Sequence, residues 1–239
     1  MTPSRLILLP GLDGTGDLFA PLLSVIPRSV SARVIAYPCE RRLSYDELFG
    51  LLENLLAAEN EMILLAESFS GPLALRYASV NPERVRGVIL CGSFIRSPVP
   101  RWLGIFVRPV VFHLPLPAFF ILRLLVGPGA SDELVRAVRR AIQKVRPCIL
   151  AWRMKDVFEV DCADALRRCA VPILYLAAAR DALVRRSSVE GILAIRSDVE
   201  IRTIDAPHLL LQREPAAAWK KISQFLLKNG FHLSDCEMK

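Results

Sequence analysis

Residues 61–78 read EMILLAESFSGPLALRYA. The apolar run Met62–Ala66 has the length and composition of a buried strand. Two serines two positions apart interrupt it, and an apolar helical pattern follows at once. A strand that turns into a helix through a serine can present that hydroxyl at the edge of a sheet. So sharp a bend brings neighbouring backbones close together, and the positions two before and two after the serine must be small. Ser68 meets this with Ala66 and Ser70. Ser70 does not, because Pro72 stands two residues after it and Ser70 would already lie inside the helix. Ser68 is therefore the candidate nucleophile.

A serine hydroxyl needs a base to take its proton. The chain has three histidines. His113 lies in an unusual central segment and His232 beyond the last helical pattern, whereas His208 comes directly off the strand-like VEIRTIDA (199–206). His208 is the candidate base. A carboxylate must then hold its tautomer and stabilise the imidazolium. LYLAAARDALV (174–184) puts Asp181 just past another strand. Asp205 is the rival, but only three residues from His208 it is badly placed to face the ring. An oxyanion formed on attack needs backbone donors. Phe69, directly after the nucleophile, is one candidate. Leu12, in the loop PGLDGTG (10–16), is the second, with Asp13 as its alternative.

Strand-like runs alternate with longer amphipathic patterns along the chain, which predicts a mostly parallel sheet flanked by helices. Strands are expected at 5–11, 32–38, 61–66, 84–94, 171–179 and 199–206. Helices are expected at 44–59, capped by Ser44 with Glu47 three residues on, from the elbow to about Asn81-Pro82, and from Pro215 to about Lys228. Between 97 and 170 the pattern changes to seven prolines, clustered aromatics and one clear helical stretch, 131–145. This segment is expected to be a helical cap inserted into a core made of 1–96 and 171–239. Within it PVVFHLPLPAFFIL (109–122) is too short and too proline-rich to cross a bilayer. The preferred reading is cap helices lining an acyl pocket, and peripheral membrane contact is the alternative.

The formal net charge of +7 is concentrated. Residues 96–160 carry eleven Arg and Lys against four acids, and elsewhere the signs balance. Arg136, Arg139, Arg140 and Lys144 stand three or four apart and are expected to share a helical face suited to an acidic partner. No nucleic-acid motif accompanies them. GLDGTG lacks the G-K-[ST] ending of a phosphate-binding loop. The six cysteines show no metal-ligand spacing, so neither metal nor other cofactor is expected. With no export signal at the start, they are expected to be reduced thiols of a cytoplasmic protein.

The loop PGLDGTG, the elbow AESFSG, ARDALV and APHLLLQREP together resemble the α/β-hydrolase family over nearly the whole chain, and the order Ser68, Asp181, His208 is that family's order. The resemblance implies an α/β-hydrolase fold in which these three are nucleophile, acid and base, and in which 97–170 is the cap that sets substrate choice. Pro10 stands where many members have His, and Ala66 and Ser70 replace the usual elbow glycines. Within the family, the short chain and basic apolar cap resemble the carboxylesterases that demethylate pimeloyl-acyl-carrier-protein methyl ester in biotin synthesis. That likeness implies an apolar acyl ester as substrate and an acidic carrier protein docked on the cap. The loop PGLDGTG alone is similar to the acyltransferases that make phytyl esters. Thioesterase or acyltransferase chemistry on the same three residues is the alternative reaction. A non-catalytic protein binding an acyl ligand or a partner is the alternative of another class.

Overall fold

The computed structural model describes residues 4–100, 102, 107 and 123–231. Six strands form one sheet: β1 (Arg5–Leu9), β2 (Ala32–Val34), β3 (Met62–Glu67), β4 (Val85–Cys91), β5 (Ile173–Ala178) and β6 (Glu200–Ile204). Their order is β2-β1-β3-β4-β5-β6, and every neighbouring pair is parallel. Parallel neighbours need long crossovers, which put helices on both faces and bury the strands twice over. Side chains alternate accordingly. Ile7, Leu9, Leu64, Ala66, Val88 and Leu90 face one core, shared with α2 (Tyr45–Leu55) and α3 (Gly71–Val80). Leu6, Leu8, Ile63, Leu65, Ile89 and Cys91 face the other, shared with α1 (Ala20–Val25) and, late in the chain, a long helix over Pro215–Lys228.

The expected strands are present; β3 keeps its expected length but is shifted by one residue, and the other five are shorter, for local reasons. β1 stops at Leu9 because Pro10 has no N–H for the ladder. β4 stops at Cys91 because Gly92 turns to a φ of +50°. β2 is only three residues long, although Ile35 and Tyr37 still donate to the carbonyls of Leu8 and Gly14. The helix expected at 44–59 runs over 45–55 with the expected capping box, Ser44 and Glu47 each accepting from the other's amide.

Between β4 and β5 the described residues include α4 (Asp132–Gln143), α5 (Pro147–Glu159) and α6 (Ala163–Arg168). Only α4 was legible in the sequence. α4 seats Val138 and Ala141 on Leu18, Val126 and Leu209. α7 (Arg186–Leu193), α8 (Leu210–Arg213) and α9 (Pro215–Lys228) complete the chain order. His113 with the rest of 109–122, and His232 and Cys236, lie outside the described residues. Cys39, Cys91, Cys148, Cys162 and Cys169 are free thiols. Among the described residues no helix is long and apolar enough to cross a membrane.

The chain runs from β1 outward to β2 and then returns to place β3 on the other side of β1. Ligands of open parallel sheets bind outside the carboxyl ends of the strands at such a reversal. The loops after β1 and β3 meet there, and those after β4, β5 and β6 line the same edge.

Candidate active site

The bend after β3 is sharp. Ser68 has a φ of +47°, a left-handed conformation that costs a residue with a Cβ roughly 1–2 kcal/mol. The surroundings hold it. Ser93, fully buried just after β4, donates to the Ser68 carbonyl over 2.6 Å. Ser70 donates to the Pro10 carbonyl and pairs with the Tyr37 hydroxyl at 2.6 Å, tying the elbow to the loop after β1. Ser70 is thus a buried strut with no exposure at all. Gly71 is required next to it, since a Cβ there would lie 1.8 Å from Ser93 Oγ. Phe69 stacks on Tyr45 with centroids 4.8 Å apart, and the Tyr45 hydroxyl donates to the Phe69 carbonyl over 3.0 Å.

At the C-terminal edge the structure brings Ser68, Asp181 and His208 together. His208 Nε2 lies 3.0 Å from Ser68 Oγ, and His208 Nδ1 lies 2.8 Å from Asp181 Oδ2. An ionised carboxylate only accepts, so the ring proton sits on Nδ1 and Nε2 is left to accept the serine proton. The other carboxylate oxygen, Asp181 Oδ1, accepts from the amides of Leu183 and Val184, each over 2.8 Å. Both oxygens are therefore committed, and the side chains of Asp181 and His208 are each only 4% exposed. Asp205 is bound to Arg180 in an exposed ion pair and does not serve the imidazole.

The loop after β1 closes as a turn in which the Gly14 amide donates to the Gly11 carbonyl over 3.0 Å. Leu12 and Asp13 are its central residues. No acceptor among the described residues takes the Leu12 amide, and Phe69 is the second residue of the helical turn that begins at Ser68, where amides have no intrahelical partner. The Asp13 carboxylate accepts from the Thr15 amide over 2.9 Å and from its hydroxyl, which stiffens the loop. Beneath it lies Glu67, 3% exposed, its Oε1 accepting from Gln212 Nε2 over 2.9 Å. Burial raises the Glu67 carboxyl from 4.5 to about 7, against the bond from Gln212, with Asp13 adding to the rise and His208 opposing it.

Several groups around the site escaped the sequence reading. Gly92 backs the Asp181–His208 pair: a Cβ there would stand 3.4 Å from Asp181 Oδ2 and 3.5 Å from His208 Cε1. A glycine directly after a strand was the available signal. Ser93, Tyr45, Glu67 and Arg153 carried none, because their partners are distant in sequence. Arg136, Arg139, Arg140 and Lys144 are all exposed, the first three on α4 and Lys144 at its end. Lys144 is engaged, holding Asp17 at 2.6 Å. Among the described residues no cluster of three or more His, Cys, Asp or Glu side chains is arranged to hold a metal.

A family model described as "Alpha/beta hydrolase family" matches residues 6–220. Phytyl ester synthase 1, chloroplastic, from Arabidopsis thaliana is 28% identical over 158 residues, which take in 59% of this chain and 22% of that protein. The chain thus spans about a fifth of the length of that curated relative. A similarity expected in the glycine-rich loop alone therefore extends well beyond it. Among solved structures, a hydrolase from Oleispira antarctica superposes with a TM-score of 0.82 at 14% identity, covering 95% of this chain and 92% of the other. A thermophilic esterase from Thermogutta terrifontis does so with a TM-score of 0.77 at 20% identity, covering 95% and 91%. Identities this low speak for the fold alone.

Proposed function

We propose that this chain, which belongs to the alpha/beta hydrolase family, is an esterase that cleaves carboxylic esters of apolar acyl chains through an acyl-Ser68 intermediate. The observation that carries the reading is the continuous path from Ser68 Oγ to His208 Nε2 at 3.0 Å and from His208 Nδ1 to Asp181 at 2.8 Å.

Ser68 Oγ attacks the ester carbonyl carbon while His208 Nε2 takes its proton. The carbonyl oxygen becomes an oxyanion, met by the amides of Leu12 and Phe69. The bond to the alcohol oxygen then breaks, and His208 returns the proton to the leaving group. Water, deprotonated by the same nitrogen, attacks the acyl-serine, releasing the carboxylic acid and restoring Ser68. Asp181 fixes the tautomer throughout and stabilises the imidazolium. The left-handed backbone at Ser68 keeps the nucleophile at this angle, a form of strain that occurs where geometry is functional.

For the substrate, the most specific candidate is a methyl ester carried on an acyl-carrier protein. Its acidic surface would meet the exposed guanidinium groups of Arg136, Arg139 and Arg140. Reversing these three charges is expected to slow turnover of the carrier-bound ester and leave small chromogenic esters unaffected. The similarity to phytyl ester synthase 1 favours a second reading, in which an alcohol replaces water as acceptor of the acyl group.

Hydrolysis of p-nitrophenyl esters from acetyl to palmitoyl, by wild type and Ser68→Ala, tests the reading. Turnover that disappears in the variant supports it, and the chain-length optimum reports the acyl preference. Adding long-chain alcohols and analysing for new esters separates transfer from hydrolysis.

A further inference from the structure

Arg153 projects from α5 of the insertion into the core and is 2% exposed. Its Nη1 donates to the carbonyls of Leu12 over 3.0 Å and Asp13 over 2.6 Å, and its Nη2 to the Pro38 carbonyl over 2.9 Å. The guanidinium lies 5.8 Å from the centroid of the Tyr37 ring. Among the described residues no carboxylate comes within ion-pair distance of it, so its charge is spent on backbone carbonyls. Burying an unpaired cation is costly, which makes its placement under this loop informative. Gly14 shows how close the approach is: with a φ of +70°, a Cβ there would lie 2.4 Å from Arg153 Nη1.

What Arg153 grips is the Gly11–Gly14 turn. The two common turn types differ in the direction of the peptide between the central residues, here that of Leu12 and Asp13. A bond to the Leu12 carbonyl selects one direction, and across a trans peptide it turns the Asp13 amide the opposite way. The Asp13 carbonyl is held by the same nitrogen. With both carbonyls drawn to the guanidinium, the Asp13 and Gly14 amides have a fixed aim, and the turn that carries the Leu12 amide at its start is held in one conformation.

We infer that Arg153 is a positioning residue for the oxyanion loop, so that the seating of the insertion sets how well the site stabilises the transition state. The inference rests on the esterase reading above. It predicts an effect on kcat without a matching effect on KM, because the loop matters most when the oxyanion has formed.

The test compares wild type, Arg153→Lys, Arg153→Met and Ser68→Ala on one p-nitrophenyl ester, with folding checked by circular dichroism and melting. Inhibition by a trifluoromethyl ketone, whose serine adduct carries an oxyanion, is measured alongside. One oxyanion donor is worth about 100–1,000-fold in kcat, and Arg153→Met, which misaims the loop without deleting an amide, is expected to lose about 10–100-fold. KM should stay within about twofold, the ketone should weaken in parallel with kcat, and Arg153→Lys should fall between the two. A folded Arg153→Met with wild-type kcat and ketone affinity, or a loss confined to KM, overturns the inference while Ser68→Ala remains inactive. If neither Arg153 variant folds, the residue is structural and the inference also fails. Activity surviving in Ser68→Ala would overturn the esterase reading and this one with it.

Discussion

Replacing Glu67 by Gln should make the protein more stable, and by an amount that depends on pH. The carboxyl is 3% exposed beneath the loop after β1, and burial raises it from 4.5 to about 7. Between those values the folded protein holds a proton that the unfolded chain has released, so this group's contribution to stability is lost as pH rises through the window. The penalty for the buried ionised form is about 3 kcal/mol near pH 8 and somewhat under about 1 kcal/mol near pH 5, a difference of about 2.5 kcal/mol. Glutamine keeps the shape, can still accept from Gln212 Nε2, and does not titrate. The stability gap between Glu67→Gln and wild type should therefore widen by about 2.5 kcal/mol from about pH 5 to about pH 8. Asp156, also raised to about 7 by burial, titrates equally in both proteins and cancels in the comparison. Urea unfolding at the two pH values reads the gap directly. A gap that does not change with pH, or that narrows as pH rises, would show that Glu67 is ionised in the fold and refute the reasoning.

Further expectations concern the acid, its rival and the residue behind them. Asp181→Asn should cost up to about 10⁴-fold in kcat by favouring the wrong imidazole tautomer, while Asp205→Asn, altering only an exposed ion pair, should leave steady-state kinetics within about twofold. Gly92→Ala places a methyl group against Asp181 and His208 at a φ of +50°, and should cost roughly 1–2 kcal/mol in urea unfolding as well as lowering kcat. Ser93→Ala removes the bond to the Ser68 carbonyl and should cost about 1 kcal/mol by the same measurement.

The alternation of apolar runs with amphipathic patterns sufficed for six parallel strands. The inner strands β1, β3, β4 and β5 are written as near-continuous hydrophobic runs because both their faces are buried, whereas the edge strands β2 and β6 have mixed sequences and mostly half-buried or exposed positions. Ser68, Asp181 and His208 stood out because each comes soon after a strand, and parallel strands deliver their carboxyl ends to one edge. The insertion was harder to read. α5 begins at a proline and buries Arg153 among apolar neighbours, so its pattern lacks the clean polar face that marks α4. The contacts that support the site were unreadable for another reason. Ser93 with Ser68, Tyr45 with Phe69, and Arg153 with Leu12 pair residues brought together only by the completed sheet. Ser70, set aside as a nucleophile for the proline after it, proved to be the tie between elbow and loop.

The most direct test of the central claim is covalent. A fluorophosphonate reacts with a serine that has been activated by a neighbouring base, and peptide mass spectrometry then identifies the modified residue. The account predicts one phosphonyl adduct per chain, located on Ser68, with no adduct in His208→Ala at matched exposure. An adduct on another serine, or equal labelling of Ser68 with and without His208, would contradict it.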